Sequence, residues 1–324
     1  MSDAIRVRLT GVGGYLPRDV VTNDDLAKKF GIETSDEWIR TRTGIGQRHI
    51  ASGDETTASM AAEAARQALD YAGVDVSEVD AVLVATATPD QVFPAVAVQV
   101  QARLGMTAGF GFDISAACSG FVYALATASA LMQSGQAKKI LVIGSEVFSR
   151  LLDWTDRSTC VLFGDGAGAV LLESGGEEGE GILSTHLHSD GRTGDILYVD
   201  GAVGCPSTSQ HLRMQGREVF RHAVVKLSQA VDEALAANGL TGQDIQWMVP
   251  HQANLRIIDG MAKKLALPSD RVVVTVDRHA NTSAASIPLA LNEAVRDGRI
   301  RKGDLVLMEA LGGGLTWGSA LIRM

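Results

Sequence analysis

The stretches ALDYAG at residues 68–73 and ALAANG at residues 234–239 end two predicted helices that lie 166 residues apart. Each is followed by a short loop and then by an apolar run typical of a buried strand. A second pair lies 165 residues apart, because KILVI at residues 139–143 matches DLVLM at residues 304–308. Several features repeated in one order at nearly one offset indicate a duplicated unit.

Glycine clusters extend the repeat: Gly164–Gly168 and Gly312–Gly314 each precede the last apolar run of a half. The polar, glycine-rich stretch Ser174–Gly181 is typical of a joint, so we divide the chain into residues 1–174 and 175–324. Apolar runs alternate with helical patterns, which predicts an α/β fold with a mainly parallel sheet. Strands are predicted at Val82–Ala85, Phe110–Ile114, Ile140–Gly144, Ala169–Glu173 and Val272–Val276, and helices at Thr57–Ala72, Ala95–Leu104, Ser119–Ser134, Arg217–Asn238 and Gln252–Leu265.

Composition excludes several classes of protein. With 46% hydrophobic and 21% charged residues, the 324-residue chain is a globular protein with a large core. A formal net charge of −9 argues against a general nucleic-acid binder, although it leaves room for one local basic patch. The N-terminus has no signal-peptide core and no long apolar run occurs, so we expect a cytoplasmic protein without a membrane span. Three cysteines without a CxxC pair exclude a disulfide scaffold and a zinc ribbon.

Cys118 lies between a predicted strand and the helix Ser119–Ser134. Unpaired backbone N–H groups and the positive end of a helix dipole should lower the pKa of its thiol and make it a nucleophile. The same N–H groups could hold the oxyanion of an attacked thioester. The alternative is a buried structural thiol, which is what we expect for Cys160, whereas Cys205 is expected in an exposed loop.

Two polar residues of the second half lie at similar junctions. His251 follows a strand that ends at Pro250, and Asn281 follows the predicted strand Val272–Val276. Because ligands gather at the carboxyl ends of strands, we expect both side chains to meet Cys118 at one centre. Two hydrogen bonds from an imidazole and a carboxamide would stabilise a thioester enolate. A satisfied core histidine and a helix-capping asparagine are the alternatives.

Metal and nucleotide motifs are incomplete. His186 and His188 share one face of a predicted strand, but the sequence offers no third ligand nearby, so we expect no metal site. The stretch Gly11–Tyr15 lacks the third glycine of a dinucleotide loop, and Gly164–Gly168 lacks the Lys-Ser/Thr of a phosphate loop. We therefore expect neither a dehydrogenase nor a bound cofactor.

Six segments together resemble β-ketoacyl-acyl-carrier-protein synthase III, the condensing enzyme that starts type II fatty-acid synthesis. They occur in order along essentially the whole chain. The resemblance implies a thiolase-like five-layered αβαβα fold built from two similar halves. The segments are DEWIRTRTG (Asp36–Gly44), AACSG (Ala116–Gly120), FGDGAG (Phe163–Gly168), VPHQAN (Val249–Asn254), NTSAAS (Asn281–Ser286) and GGGLTWG (Gly312–Gly318).

The resemblance also implies roles for residues. Cys118 would take an acetyl group from acetyl-CoA, and the backbone N–H groups of Cys118 and Gly313 would form the oxyanion hole. His251 and Asn281 would bind the malonyl thioester of an acyl carrier protein and stabilise the carbanion left by decarboxylation. Asn254 would orient this pair. The implied ping-pong reaction converts acetyl-CoA and malonyl-carrier into acetoacetyl-carrier, CoA and CO2.

Substrate contacts follow from the same resemblance. Trp38 and Arg157 would stack on the two faces of the CoA adenine, and Arg42 would contact the nucleotide. Phe93 would cross a homodimer interface to close the acyl pocket beside Leu311, where some relatives have an aromatic residue. The acidic carrier protein would be steered to a basic patch. That patch consists of Arg221, Arg256, Lys263 and Lys264.

Two other functions remain open at this point. A related Cys-His-Asn condensing enzyme could use branched, medium-chain or aromatic acyl-CoA in secondary metabolism, because Leu311 leaves the shape of the pocket undecided. A non-catalytic protein could bind acyl-CoA or a carrier protein, although the complete Cys-His-Asn set argues against it. The stretch Asp200–Gln210 resembles no segment that we can assign.

Overall fold

The computed structural model describes residues 5–201 and 209–324. Cys205 and most of the stretch Asp200–Gln210 lie outside the described residues, so their predictions stay untested. The strands are β1 (Val7–Tyr15), β2 (Asp19–Thr22), β3 (Gln47–Ile50), β4 (Ala81–Ala85), β5 (Phe110–Ile114), β6 (Lys139–Val147), β7 (Asp165–Ser174), β8 (Gly181–Ser189), β9 (Leu197–Val199), β10 (Leu212–Met214), β11 (Trp247–Pro250), β12 (Leu305–Gly312) and β13 (Thr316–Arg323). The α-helices are α1 (Asn23–Phe30), α2 (Asp36–Thr43), α3 (Thr57–Ala72), α4 (Val96–Leu104), α5 (Gly120–Gln133), α6 (Gly216–Ala237), α7 (Leu255–Lys264), α8 (Val276–His279) and α9 (Ser286–Arg296).

Two sheets at the centre of the molecule share one strand order. The first runs β1-β7-β6-β4-β5 and the second runs β8-β13-β12-β11. Val272 bridges Met248 of β11 at the place that β5 takes in the first sheet. Matching neighbours also run in matching directions: β1–β7 and β8–β13 are antiparallel, and β4–β6 and β11–β12 are parallel. The two halves therefore have the same topology, while a division after residue 174 remains our prediction.

The expectation of a mainly parallel sheet is wrong, because both sheets are mixed. Only residues 313–315 join β12 to β13, too few for the crossover that parallel neighbours require, so these strands pair antiparallel. β6 and β7 also pair antiparallel. The segment between them, residues 148–164, contains a short 3₁₀ turn at Phe148–Leu151 and no crossover helix. Apolar patterning reveals that a strand is buried, but it does not reveal the direction of its neighbour.

Helices form three layers around the two sheets. α3 and α4 pack on the outer face of the first sheet, and α6 and α7 pack on the outer face of the second. α5 and α9 fill the space between the sheets. This is the expected five-layered αβαβα arrangement, and it directs the N-termini of α5 and α9 toward a common centre. Among the described residues, no helix is both long enough and apolar enough to cross a membrane.

Close contact between α3 and β1 explains the glycines of the GVGGY stretch. A Cβ atom at Gly11 would lie 2.3 Å from the carbonyl oxygen of Ala68, and one at Gly13 would lie 2.0 Å from that of Ala64. Only glycine permits this approach of helix to strand, and alanine on the helix shortens it further. The stretch therefore serves packing, which agrees with our rejection of a dinucleotide loop.

The helix endings that first indicated the repeat are built alike. Gly73 ends α3 in the left-handed region at φ +66°, and Gly239 lies in the same region at φ +64°, just after α6. Glycine at this position lets the chain leave the helix without strain.

Two predicted elements differ from the structure. The helix predicted over Gln252–Leu265 begins only at Leu255, because the side chain of Asn254 caps it. The predicted strand Val272–Val276 makes a single bridge through Val272, and its last residue already begins α8. A short apolar run does not reveal whether a neighbouring strand is available to pair with it.

Candidate active site

A cavity of about 740 Å³ lies where the two halves meet. Cys118, His251 and Asn281 all line it, together with Gly313 and Leu311. The three polar residues come from three separate junctions, which the fold brings to one centre as the sequence pattern predicted. Each is more than nine-tenths buried, since their exposed fractions are 7%, 6% and 6%.

Cys118 sits in a 3₁₀ turn, Ala117–Ser119, directly before α5. The preceding Ala117 has φ +46°, in the left-handed region that non-glycine residues rarely adopt. A Cβ atom at Gly312 would lie 2.6 Å from the backbone nitrogen of Cys118. Gly312, the first glycine of the triplet in the second half, therefore packs directly against the backbone amide of Cys118. Strain retained at this turn is typical of a functional position.

The expectation of a low pKa for Cys118 is wrong. Burial, with a smaller contribution from the nearby Glu146 carboxyl, raises the pKa of this thiol to about 12. The Ser283 hydroxyl and the backbone N–H of Cys118 itself oppose this increase. The sequence showed that the thiol lies at a helix N-terminus, which lowers its pKa, but it did not show how deeply the thiol is buried. Desolvation raises the pKa, and it is the larger of the two effects here.

His251 follows β11 and is held by two hydrogen bonds. Its backbone N–H donates to the carbonyl of Glu309 over 2.8 Å, and its Nδ1 lies 2.6 Å from the hydroxyl of Ser286. Ser286 Oγ also accepts from the backbone N–H of Gln252, so its own proton is free to bond Nδ1. When the hydroxyl accepts from Gln252 and donates to Nδ1, the proton of the neutral ring is on Nε2. Burial lowers the pKa of His251 to about 3, so the ring is neutral at physiological pH.

Asn281 is fixed by the chain of the other half. Its backbone N–H donates to Leu162 and its carbonyl accepts from Gly164, each over 3.0 Å, in a parallel bridge beside Phe163. Its side-chain oxygen accepts from the N–H of Ser283 over 2.9 Å. The carboxamide oxygen is therefore engaged, and the NH2 group remains available to donate to a ligand in the cavity.

Asn254 lines the cavity but is bonded elsewhere than to the His251–Asn281 pair. Its oxygen accepts from the N–H of Arg256 over 2.9 Å as the cap of α7, and its NH2 donates to the carbonyl of Arg42 over 3.2 Å. The hydroxyl of Ser286 is the hydrogen-bond partner of His251 Nδ1. Nothing in the sequence indicated this role beyond the place of Ser286 in the NTSAAS segment.

The expected adenine-stacking residues are already stacked on one another. The guanidinium carbons of Arg42 and Arg157 lie 4.8 and 4.7 Å from the ring centroid of Trp38. A flat ring between two groups requires roughly 7 Å, twice a contact distance of about 3.5 Å. Arg157, which also donates to the carbonyl of Glu33 over 2.7 Å, therefore has to move before a purine can enter.

The two expected pocket residues have different surroundings. Leu311 is buried and lines the cavity close to Cys118. Phe93 is 81% exposed and does not line this cavity. Other exposed apolar side chains occur next to it in the sequence, on α4 and on the edge strand β5. These are Val92, Val98, Phe110 and Phe112.

The four expected carrier-docking cations are all exposed on α6 and α7. Arg256 lines the cavity and donates to the carbonyl of Thr41 over 3.1 Å. Arg221 and Lys264 are paired with Glu218 and Asp232, respectively. The positive charge of the patch is thus partly neutralised by these two carboxylates of α6.

The histidine pair that we rejected as a metal site does have an acidic neighbour. Glu233 of α6 lies 3.3 Å from His186 and 2.6 Å from His188. Glu233 is far from both histidines in the sequence, so no local motif could reveal this contact. Within residues 5–201 and 209–324, however, no group of three or more His, Cys, Asp or Glu residues is placed to hold a metal ion.

Comparison with known proteins gives a consistent result. A family model described as 3-oxoacyl-[acyl-carrier-protein (ACP)] synthase III matches residues 112–191, and its C-terminal counterpart matches residues 235–324. A β-ketoacyl-[acyl-carrier-protein] synthase III of Acidiphilium cryptum is 68% identical, covering 98% of this chain and 99% of the relative.

Solved structures agree with this similarity. 3-Oxoacyl-[acyl-carrier-protein] synthase III from Aquifex aeolicus superposes with a TM-score of 0.93 at 46% identity, covering 98% of this chain and all of that one. The priming β-ketosynthase of the R1128 polyketide pathway superposes with a TM-score of 0.92 at 40% identity, covering 100% of this chain and 98% of that one.

Proposed function

The chain belongs to the β-ketoacyl-[acyl-carrier-protein] synthase III family, and from that premise we propose how its own residues carry out the initiating condensation of fatty-acid synthesis. It is an acyltransferase of the condensing type. The observation that carries the proposal is that Cys118, His251 and Asn281 line a single cavity. We take acetyl-CoA as the acyl donor and a malonyl-carrier protein as the second substrate.

In the first half-reaction Cys118 attacks the thioester carbonyl of acetyl-CoA, and CoA leaves. The backbone N–H of Cys118, next to the N-terminus of α5, would stabilise the tetrahedral oxyanion together with the N–H of Gly313. A side chain at Gly313 would lie 2.7 Å from the carbonyl of Leu197, so this segment keeps its close position only with glycine. The product is an acetyl-cysteine enzyme and free CoA.

In the second half-reaction the malonyl thioester loses CO2 beside His251 and Asn281. The Nε2–H of the neutral histidine and the NH2 of the asparagine would both donate to the thioester oxygen, on which negative charge develops. A neutral imidazole suits this role, because a charged one would have to be desolvated in a buried site. CO2 leaves in place of a proton, so this step needs no strong base. The carbanion then attacks the acetyl group on Cys118.

Trp38, Arg42 and Arg157 would hold the nucleotide of CoA at the cavity mouth. The indole offers an aromatic face, and the guanidinium groups offer both a flat stacking surface and positive charge for phosphate. Opening of the Arg157 contact would admit the adenine. No metal or prosthetic group takes part in this scheme, in which CoA thioesters are substrates.

The carrier protein would dock on the exposed end of α6 and α7. Arg256 lies at the cavity, and Lys263 lies near the other end of α7. An acidic carrier protein bound along this helix would be held with its thioester-bearing group directed into the cavity. Arg221 and Lys264 would exchange their internal carboxylate partners for those of the carrier. This provides one attractive region on a chain of net charge −9.

We propose that the enzyme is a homodimer that pairs along β5. β5 is an edge strand, and its exposed Phe110 and Phe112 stack on each other at 6.5 Å between ring centroids. Exposed edge strands with apolar side chains are ready-made pairing surfaces. Phe93 would then reach the acyl pocket of the partner. We place the enzyme in the cytoplasm, since Cys118 and Cys160 are free thiols, as is usual in a reducing compartment.

The test is acylation by a panel of acyl-CoA donors followed by a chase with malonyl-carrier. We expect acetyl-CoA to add one acetyl group at Cys118, detected by mass spectrometry, and the chase to release acetoacetyl-carrier. The Cys118→Ser variant should not be acylated. Faster acylation by branched or aromatic donors would favour the secondary-metabolic alternative, and the absence of any adduct would leave only a binding protein.

A further inference from the structure

A buried arginine that the reaction above does not use lies behind the active site. Arg48, on β3, is fully buried. Its Nη1 donates to the side-chain oxygen of Asn23 over 2.8 Å and to the carbonyl of Val21 over 3.3 Å. Its Nη2 donates to the carbonyl of Val161 over 2.9 Å. All three acceptors are neutral groups, and none is a carboxylate.

Keeping this charge in the interior costs free energy. Burial lowers the pKa of Arg48 to about 10, and the guanidinium therefore remains charged at neutral pH. A buried charge without hydrogen-bonded opposite charge recovers its lost hydration only in part. The Nε–H adds to the cost, because it has no hydrogen-bond partner among the described residues. This environment points to a role for Arg48 other than filling the core.

Val161 belongs to the segment that holds Asn281 in place. Val161 and Leu162 lie in a turn, and Phe163 pairs with Asn281 through a single bridge. The carbonyl of Leu162 accepts the backbone N–H of Asn281 over 3.0 Å. The carbonyl groups that bind Arg48 and Asn281 are therefore consecutive in the chain.

The same segment packs closely against β3. A Cβ atom at Gly164 would lie 3.1 Å from the Cβ of Arg48 and 2.8 Å from the carbonyl oxygen of His279, so there is no room for a side chain. The N–H of Gly164 donates to the carbonyl of Asn281 over 3.0 Å. Arg48 thus contacts the segment at two places, on either side of the residues that bridge Asn281.

The other side of the guanidinium is oriented from α2. The NH2 group of Asn23 donates to Asp36 over 2.9 Å and to the carbonyl of Ile45 over 2.8 Å. These two bonds turn the side-chain oxygen of Asn23 toward Arg48. Because Asp36 is the first residue of α2, the orientation of the guanidinium depends on the helix that carries Trp38.

We propose that Arg48 is a positioning residue for Asn281. Its hydrogen bond to Val161 fixes the turn, and the adjacent carbonyl of Leu162 then fixes the backbone of Asn281. The carboxamide NH2 is thereby held where the malonyl thioester oxygen would lie. Arg48 acts through this segment and touches no substrate, since it is buried and does not line the cavity. The inference rests on the proposed role of Asn281 in decarboxylation.

The shape of the guanidinium suits this role. Its planar fork presents N–H groups in fixed directions, so one branch bonds Asn23 while the other bonds Val161. Methionine would occupy the interior without any donor. Lysine would keep the charge on a single nitrogen that cannot reproduce the fork. Both substitutions should therefore release the turn.

The first measurement needs no substrate. Hydrogen–deuterium exchange with peptide mass spectrometry reports how often a backbone hydrogen bond opens. In Arg48→Met the amides of Asn281 and Gly164 should exchange about tenfold faster, the effect of losing one hydrogen bond from a charged donor. The peptide that contains β11 and His251 should exchange as in the unmodified protein.

The second measurement compares the two half-reactions. Arg48→Met should reduce kcat for CO2 release from malonyl-carrier by about tenfold, because a displaced donor stabilises the developing charge less well. The KM for malonyl-carrier should change little. Acetylation of Cys118 by acetyl-CoA should stay within about threefold. A merely structural role would instead reduce both half-reactions to the same extent, and that result would contradict the proposal.

A double variant tests whether the effect passes through Asn281. When Asn281→Ala is already present, Arg48→Met should cause no further loss of decarboxylation, because no carboxamide remains to be positioned. Arg48→Lys should show the same pattern as Arg48→Met in exchange and in CO2 release. It serves as the test variant if Arg48→Met does not fold.

Arg150→Met is the matched control. Arg150 lies in the same connection between β6 and β7, and it donates to the carbonyl of Glu55 over 3.0 Å. Its loss should change neither the exchange of Asn281 nor either half-reaction. Unchanged exchange at Asn281 in the folded Arg48 variants, or losses that add in the double variant, would overturn the positioning role. Faster exchange in a protein that releases no CO2 even when unmodified would refute the proposed function and leave the positioning of Asn281 standing.

Discussion

Burial disfavours the charged forms of both Cys118 and His251, because it raises the pKa of the thiol and lowers that of the imidazole. In the proposed mechanism the imidazole stays neutral and negative charge develops on the thioester oxygen. Backbone and side-chain N–H groups would already be directed at that oxygen, so little reorganisation is needed during the reaction. At the scale of single residues, the proposed site would therefore stabilise charge with fixed N–H dipoles rather than with a preformed ion pair.

Asn281→Ala should impair decarboxylation far more than acylation. In the proposed mechanism the NH2 group donates only to the oxygen on which charge develops in the second half-reaction, so its loss should reduce release of CO2 from malonyl-carrier by about 10²-fold or more. Acetylation of Cys118 by acetyl-CoA should remain within about threefold. Radiolabelled CO2 release and acyl-enzyme mass spectrometry measure the two steps separately.

Asn238→Ala serves as the control for this change. That asparagine is bonded to Ser184 and Ala234 at the end of α6, away from the cavity. Equal losses of both half-reactions in Asn281→Ala would show that the residue only shapes the site.

Sequence located the candidate site residues but not their environment. Cys118 and His251 each lie just after a strand, β5 and β11, which is a local and recognisable feature, whereas Asn281 follows the short helix α8. The contact between His251 and Ser286 spans 35 positions, and the pKa of Cys118 depends on burial by distant segments. Such properties arise only when the halves are packed together, so no local pattern reports them.

At the scale of elements, α7 joins the proposed docking surface to the proposed nucleotide site. Its N-terminal Arg256 is exposed, lines the cavity and donates to the carbonyl of Thr41 in α2, the helix that carries Trp38. A partner that bound α7 would therefore contact an element that is directly hydrogen-bonded to the proposed CoA site.

Arg256→Ala should weaken use of the carrier-bound substrate. We expect the KM for malonyl-carrier to rise about tenfold, a loss of about 1.4 kcal/mol, with little change for acetyl-CoA. Lys263→Ala should shift the same KM by a smaller factor, since this lysine lies farther from the cavity. Steady-state kinetics at two salt concentrations would show the electrostatic origin.

Arg66→Ala is the appropriate control for these variants. It removes an exposed arginine from α3, on the opposite outer layer, and should change neither KM. If the KM for acetyl-CoA rises as much as that for the carrier in Arg256→Ala, the role of this residue is nucleotide binding rather than docking.

Gly13→Val should destabilise the protein through the contact of β1 with α3. A side chain there would collide with the carbonyl of Ala64 at 2.0 Å, and the helix would have to move outward. Overpacking of this type costs about 1–3 kcal/mol or more. Urea denaturation should show a lower midpoint with an unchanged slope.

Gly53→Ala is the matched glycine substitution. No atom lies within 4 Å of the added Cβ, so its stability should change by less than about 0.5 kcal/mol. Equal stability of Gly13→Val and the unmodified protein would mean that α3 adjusts freely to β1.

The bounds of several elements follow from local sequence, and others depend on neighbours. The prediction for α3 is correct at both ends, because Thr56 and Gly73 cap it. The prediction for α7 was three residues too long at its start, since Gln252 is buried and bonded to the carbonyls of Pro250 and Val273. Strand direction was also missed, because it is a property of pairs of strands.

At the scale of the whole molecule, several large apolar side chains of the described residues remain exposed, among them those on β5 and on the segment that precedes α4. Val92 and Phe93 are 74% and 81% exposed, values that are costly for large apolar side chains in water. The sequence repeat predicted that the two halves share one topology, but it did not give the order of the strands. The exposure of these apolar side chains could be recognised only in the folded structure.

Phe93→Asp should disrupt the proposed dimer. A charge at the centre of an apolar contact would have to be desolvated, so sedimentation velocity should show a shift from dimer to monomer. Acylation by acetyl-CoA should fall by about tenfold, because the pocket of each subunit would lack its wall from the partner.

Val20→Asp, at an exposed apolar position on β2, should leave the oligomeric state unchanged. A Phe93→Asp protein that remains dimeric would place the subunit contact elsewhere on the surface.

The parallel bridge that clamps Asn281 between Leu162 and Gly164 has a consequence for motion. The backbone of a candidate catalytic residue of one half is hydrogen-bonded to a segment of the other half. Rotation of the two halves about a hinge would break these hydrogen bonds and displace Asn281 from the cavity. We therefore expect the proposed reaction to proceed without relative rotation of the halves, with ligands admitted by small rearrangements of the residues at the cavity entrance.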